Sequence, residues 1–154
     1  MPVYKLDPNR VPLFWDLVKP GLILGKNISG VNGDWDFANK VLEQTLVGRC
    51  VIWLAFEQGE PIGDNYVGFG ITTLNPDSFT DSKDLVLYYV YTYRNASMAL
   101  RAEAAVSLVK YAKAKGCARI VVYTERQAMT SLIEDFLGEH AKKRNLFYVN
   151  MEDF

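Results

Sequence analysis

The sequence has few of the residues from which metal centres and nucleophilic triads are built. One histidine, His140, and two cysteines, Cys50 and Cys117, are present among 154 residues. The cysteines lie far apart in the chain, without the spacing of a metal or redox motif, and the histidine lies in the charged stretch GEHAKKRN. We therefore expect no metal site and no Ser/His/Asp triad. Both cysteines are expected to be free thiols that pack as small hydrophobic side chains.

An excess of one charge and long apolar runs are also missing. The 17 basic and 18 acidic residues give a formal net charge of −1, so nucleic acid is not expected as a partner. No uninterrupted apolar run reaches the roughly 18 residues of a membrane-spanning helix. The first residues, MPVYKLDPNR, lack the layout of a signal peptide. These absences predict a soluble, cytoplasmic protein without membrane contact.

What the sequence does contain is an apolar fraction of 49%, enough for one sizeable core, and we predict a single domain over residues 1–154. The apolar spacing predicts a helix that begins near Pro12 and ends at Pro20 and Gly21. A second helix is predicted from Asp34 to Leu46, with Gly48 as its left-handed cap.

The middle of the chain reads as strands. Residues 50–56 and 66–74 are predicted to pair as a hairpin with a long tip, and residues 85–93 form the most strand-like run. The intervening residues 75–84 (NPDSFTDSKD) are predicted to be a loop, because Asn, Asp, Ser and Pro compete with regular backbone pairing.

Helical and strand patterns alternate in the last third of the chain. A helix over 97–115 is followed by a stop at Gly116, a strand over 118–124, a helix from 128 to about 142 and a strand over 146–151. A strand, helix and strand in succession predict a right-handed crossover between parallel strands. The predicted fold class is α/β (α+β), with a central mixed, mostly antiparallel sheet and helices on both faces.

The stretch YRNASMALRA, residues 93–102, joins the strand over 85–93 to the helix over 97–115. A helix N-terminus presents unpaired N–H groups and the positive end of the helix dipole, so it attracts phosphate. Arg94 adds a planar set of charged donors, and the small side chains at 96, 97 and 99 let an anion approach the backbone. We therefore predict a phosphate or pyrophosphate cradle at this corner.

Over residues 50–138 the chain resembles the GCN5-related N-acetyltransferases (GNAT superfamily). The acyl-CoA pattern of that family, Arg/Gln-x-x-Gly-x-Gly/Ala after the fourth strand, is matched by residues 94–99 with serine in place of the first glycine. Gln127 stands in place of the asparagine that the family has further on. Leu137 and Gly138 match its Leu-Gly-Phe sequence, with Glu139 in place of the aromatic.

The resemblance implies a binding site for acetyl-CoA. The pyrophosphate would lie over the backbone of residues 95–99, and the pantetheine arm would follow the strand at residues 89–93. The thioester would lie where that strand splays from the strand over 118–124, and an amine would attack it directly in a ternary complex. The cofactor-binding residues implied are Tyr91, Tyr93, Arg94, Asn95, Ala96, Ser97, Met98, Ala99 and Gln127.

The acid and the base are less well defined by the resemblance. Glu134 occupies the position of the tyrosine that in the family protonates the departing thiolate, and Tyr123 or Tyr91 is an alternative acid. Glu57 and Glu125, near strand ends, are the candidate bases for an ammonium substrate. Each of these residues also has a plain structural interpretation, as a solvated carboxylate or a packed tyrosine.

Three hypotheses follow for the function. The first is an N-acyltransferase that moves an acetyl group from acetyl-CoA to an amine whose identity the sequence does not indicate. The second is a non-catalytic binding or structural module of the same fold, encoded by a phage and forming a homo-oligomer or part of a larger assembly such as a virion. The third is a site for another phosphorylated ligand at the same corner.

Overall fold

The computed structural model describes residues 3–25, 34–57, 63–122, 133–134, 138–142, 149 and 151–153. The chain forms two compact units, Met1–Thr124 and Glu125–Phe154, and a single domain over the whole chain stays a prediction. The first unit contains β1 (Val3–Lys5), α1 (Val11–Leu24), α2 (Trp35–Leu46), β2 (Cys50–Phe56), β3 (Tyr66–Asp77), β4 (Ser82–Thr92), α3 (Met98–Ala114) and β5 (Arg119–Val122).

The five strands form one sheet in the order β1-β2-β3-β4-β5. Neighbours are antiparallel except β4 and β5, which are parallel and joined through α3. This confirms the predicted mixed, mostly antiparallel sheet with one crossover. The short strand β1 was not predicted, because three residues carry too little alternation to be recognised in a sequence.

Helices cover both faces of the sheet, as predicted. Successive side chains of a strand point to opposite faces. Ile52, Leu54 and Phe56 of β2 join the core formed with α1 and α2. Trp53 points to the other face, where its ring lies 5.1 Å from that of Tyr111 in α3.

The predicted ends of α2 and α3 are confirmed by their caps. Asp34 and Ser97 each accept a hydrogen bond from an N–H in the first turn of the helix that they precede. Gly48 and Gly116 follow the two helices with φ of +78° and +70°. At each end the N–H of the glycine and the N–H of the residue after it donate to carbonyls of the last helical turn, which is the Schellman arrangement.

The prediction of a loop over 75–84 is wrong. β3 continues to Asp77 and β4 begins at Ser82, so that only a tight turn separates them. β3 pairs with β2 no further than Thr73, so Pro76 lies where β3 has a neighbour on one side only. A proline is tolerated there as it is at a sheet edge, because its missing N–H breaks no second ladder.

The prediction that the first helix ends at Pro20 and Gly21 is also wrong, because α1 continues to Leu24. The Tyr93 hydroxyl accepts a hydrogen bond from the Gly21 N–H (2.9 Å) and donates one to the Leu17 carbonyl (2.9 Å). It therefore stands between a donor and an acceptor that an unbroken helix pairs directly. Tyr93, which follows the end of β4, thus supplies hydrogen-bond partners to two backbone groups of α1 whose direct bond is lost next to Pro20.

In the second unit, residues 133–134 are helical, residues 138–140 form a turn and Met151–Asp153 forms a 3-10 turn. The predicted helix from 128 to about 142 therefore includes 133–134 but does not extend over 138–142, and the predicted strand over 146–151 includes neither residue 149 nor residue 151. The remaining residues of both predictions lie outside the described part. No helix in the described ranges is long and apolar enough to cross a membrane.

Candidate functional site

Among the described residues, β4 extends beyond β5, and we call this part of β4 the open edge. Their pairing runs from Asp84 with Arg119 to Leu87 with Val122, and β4 then continues to Thr92. The register with β3 shifts at this point, leaving Tyr88 as an extra residue in β4. Such a bulge bends a strand and changes its direction. Among the described residues, no strand pairs with the β5 side of β4 over residues 88–92.

This open edge leads into the corner, residues 93–99, at which α3 begins. Asn95, Ser97, Met98 and Ala99 are exposed and Ala96 is half-buried. The Ser97 hydroxyl accepts a hydrogen bond from the Leu100 N–H (3.1 Å). This cap does not reach the N–H groups of Met98 and Ala99, the first two residues of α3. In the part of the chain that the structure describes, the N–H groups of Met98 and Ala99 have no partner. They are the kind of donors that bind anions at helix N-termini.

Two hydrogen bonds tie the corner to the β2–β3 connection. Nη2 of Arg94 donates to the Asp64 carbonyl (2.6 Å), and the Ser97 N–H donates to Oε1 of Glu57 (2.7 Å). The structure therefore brings together Glu57, predicted as a base, with two residues predicted to bind the cofactor. Sequence reasoning missed the Asp64 carbonyl, since a backbone acceptor leaves no signature in a sequence.

The carboxylate of Glu57 is stabilised in its ionised form. The hydrogen bonds from the Ser97 backbone and hydroxyl, with the nearby charge of Arg94, hold the pKa of Glu57 below its ordinary value. A lowered pKa makes a carboxylate a weaker base. The geometry therefore favours Glu57 as an anchor of the corner over a group that removes a proton from an ammonium.

Tyr91 and Tyr93 turn their side chains towards α1 and the core. The ring of Tyr91 stacks on Phe69 at 6.2 Å, and the Tyr93 hydroxyl bonds to α1 as described. Burial raises the pKa of Tyr93, which is 41% exposed. What these two residues offer to a ligand at the open edge is therefore their backbone.

The described part of the first unit contains none of the other predicted residues. Tyr123, Glu125 and Gln127 lie outside the described residues, and Glu134 is exposed within the second unit. The described residues contain no group of three side chains suited to hold a metal ion. Cys50 and Cys117 are free thiols, and burial raises the pKa of Cys50.

No family model and no curated protein matches this sequence. Solved structures do match. A probable acetyltransferase has a TM-score of 0.71 at 15% identity over 98% of both chains. A predicted acetyltransferase from Clostridium acetobutylicum, solved with acetyl-CoA, has a TM-score of 0.65 at 13% identity over 99% of this chain and 97% of its own. AAC(6')-Iy, in complex with the bisubstrate analog CoA-S-monomethyl-acetylneamine, has a TM-score of 0.64 at 15% identity over 96% of both. The chain therefore has the fold of the GCN5-related N-acetyltransferases.

Proposed function

We propose that the chain is an N-acyltransferase that transfers an acetyl group from acetyl-CoA to an amine by direct attack in a ternary complex. The observation that carries this proposal is the open edge of β4 over residues 88–92, which runs directly into the N-terminus of α3. Two proteins of similar fold support it, one solved with acetyl-CoA and one with a bisubstrate analog that contains CoA.

The corner has donors that suit the phosphates of acetyl-CoA. Met98 and Ala99 are exposed residues, their N–H groups have no partner among the described residues, and the methyl side chains of Ala96 and Ala99 leave room for an anion beside the backbone. Arg94 uses one donor on Asp64, and its guanidinium has further N–H groups to direct at a phosphate. Gln127 is assigned to the same ligand by the family resemblance.

The open edge of β4 suits the pantetheine arm. Unpaired backbone N–H and C=O groups of a strand bind amide-containing chains much as they bind an added strand. Residues 88–92, including the backbone of Tyr91, would bind the arm in this way and bring the thioester to the point where β4 and β5 separate. A backbone N–H of β4 would then stabilise the negative charge that develops on the carbonyl oxygen.

In the reaction the amine nitrogen attacks the thioester carbon. A C–N bond forms, the C–S bond breaks and the sulfur leaves with the electron pair. One proton leaves the nitrogen and one reaches the sulfur. Of the candidates that the sequence offers, we assign the removal of the proton to Glu125 and protonation of the sulfur to Glu134 or Tyr123.

Calorimetric titration with acetyl-CoA and with CoA tests this function. Wild-type protein is expected to bind both, and Arg94→Glu is expected to abolish binding by placing a negative charge among the phosphate donors. Arg49→Glu is the matched control, since Arg49 is an exposed arginine immediately before β2. Wild-type binding would justify an amine screen that monitors the release of free CoA thiol. Folded wild-type protein that gives no heat at millimolar ligand would contradict the proposal.

A non-catalytic module of the same fold is the second candidate. The observation that favours it is that the Arg94 side chain and the Ser97 N–H already bond to Asp64 and Glu57. A corner in which these two donors already have partners within the chain is compatible with a purely structural role in a larger assembly, such as a phage particle. Light scattering that gives a monomer, together with release of CoA thiol, would exclude this candidate. An oligomer without turnover would support it.

A further inference from the structure

The Glu57 carboxylate occupies a backbone donor of the corner that has been assigned to the phosphates. Its Oε1 accepts the Ser97 N–H at 2.7 Å. The Glu57 N–H donates to the Asn65 carbonyl (2.7 Å), which holds the end of β2 beside the corner. A carboxylate bound there satisfies the helix N-terminus just as a phosphate does.

We propose that Glu57 is an internal competitor for the phosphates of acyl-CoA, which must displace its carboxylate from Ser97 in order to bind. The inference rests on the proposed function, because it concerns the same corner. Two anions at adjacent donors repel each other, so the carboxylate and a diphosphate cannot both be held there at low cost.

The local structure allows this exchange. Glu57 is anchored through its backbone, whereas its side chain is long, flexible and only partly covered. The carboxylate can therefore turn into water while the end of β2 stays in place. Arg94, whose charge acts on Glu57, can interact with the arriving phosphate instead. After the exchange, a phosphate oxygen accepts the Ser97 N–H in place of the Glu57 carboxylate.

Glu57→Gln tests the inference by calorimetric titration with acetyl-CoA. The amide keeps an oxygen that can accept the Ser97 N–H but loses the charge, so the fold is retained and the competition is weakened. We expect the variant to bind roughly three- to tenfold more tightly than wild type, in line with the modest energies of anions at helix N-termini. Glu103→Gln removes the same charge further along α3 and is expected to leave the affinity unchanged.

Dephospho-CoA identifies the group with which Glu57 competes, since it keeps the diphosphate and lacks the 3′-phosphate. The gain in affinity of Glu57→Gln is expected to persist with dephospho-CoA. A gain in affinity that disappears with this ligand would overturn the proposal that Glu57 competes with the diphosphate. Wild-type binding that Glu57→Gln weakens or leaves unchanged would overturn the inference alone. Absence of binding by wild type and by Glu57→Gln would overturn both the inference and the proposed function.

Discussion

At the scale of single residues, Tyr93 links two parts of the first unit. Its hydroxyl lies within the hydrogen-bond ladder of α1, between the Gly21 N–H and the Leu17 carbonyl. Its own N–H donates to the Val67 carbonyl (2.7 Å), and Arg94 follows it in the chain. The same residue therefore fixes α1 against the sheet and the start of the corner against β3.

Tyr93→Phe is expected to lower the free energy of unfolding by about 1 kcal/mol, because the Gly21 N–H loses its partner while the ring remains. Tyr88→Phe is the matched control on the same strand, since no hydrogen bond of the Tyr88 hydroxyl is found among the described residues. Urea unfolding monitored by circular dichroism measures both variants. Equal stabilities of Tyr93→Phe and wild type would mean that the helix closes its ladder without the hydroxyl.

Glu57 gives a pH dependence whose sign follows from its lowered pKa. The unfolded chain binds a proton at this group near the ordinary pKa of 4.5, and the folded chain does so only at lower pH. The ionised carboxylate therefore stabilises the fold above this range, and the contribution is lost as the pH falls through the folded pKa. Wild type is expected to melt above Glu57→Gln at neutral pH, with a difference that vanishes in acid. A constant difference from pH 7 to pH 3 would contradict this.

The sequence predicts the residue types of the corner better than their partners. Arg94 and Ser97 are predicted to bind an anion because a cation and small side chains before a helix suit one. Their bonds to the Asp64 carbonyl and to Glu57 depend on how the β2–β3 connection returns beside α3. No local pattern encodes that approach, because the partners lie 30 and 40 residues away in the chain.

At the scale of elements, the open edge depends on close packing of β3 against the end of β4. Gly68 pairs with Thr92 and Gly70 with Val90. A Cβ on Gly68 would overlap the Tyr91 carbonyl oxygen and come within 2.8 Å of the Thr92 Cα, whereas a Cβ on Gly70 would meet nothing closer than 3.6 Å. The two glycines thus offer a matched pair on one strand.

Gly68→Ala is expected to destabilise the fold by about 2 kcal/mol or more, since backbone cannot move aside as a side chain can. Gly70→Ala is expected to be neutral or slightly stabilising, because alanine restricts the unfolded chain. Chemical unfolding of both variants measures the difference. Similar free energies of unfolding for the two variants would show that β4 can move away from Gly68 at Thr92, and would contradict the close pairing described.

Helix caps were predictable and helix continuity was not. Gly48 and Gly116 close α2 and α3 through local backbone geometry, which a few neighbouring residues decide. Pro20 locally predicts a helix end because it breaks the ladder, but the hydroxyls of Tyr66 and Tyr93, distant in the chain, supply partners to the Leu17 carbonyl and the Gly21 N–H. Likewise the polar residues 75–77 form a strand because β4 pairs with them. Tertiary contacts overrule local preference in both cases.

At the scale of the whole molecule, the order of elements together with the family resemblance predicts the fold. Hairpins followed by one strand-helix-strand unit allow few sheet topologies, and the family resemblance selects among them. The acceptor was not predictable, because a fold shared by proteins of 15% identity and below leaves the acceptor pocket free to vary. A binding assay on the intact chain is therefore the most informative global measurement.

Acetyl-CoA is expected to raise the melting temperature of the intact chain. A ligand that binds only the folded state stabilises it by about 2.7 kcal/mol at a concentration one hundred times its dissociation constant. For a chain of 154 residues this corresponds to a rise of roughly 5–10 °C. Differential scanning fluorimetry measures the shift, with Arg49→Glu expected to retain it and Arg94→Glu to lose it. A shift of equal size in Arg94→Glu would place the ligand away from the corner and the open edge of β4.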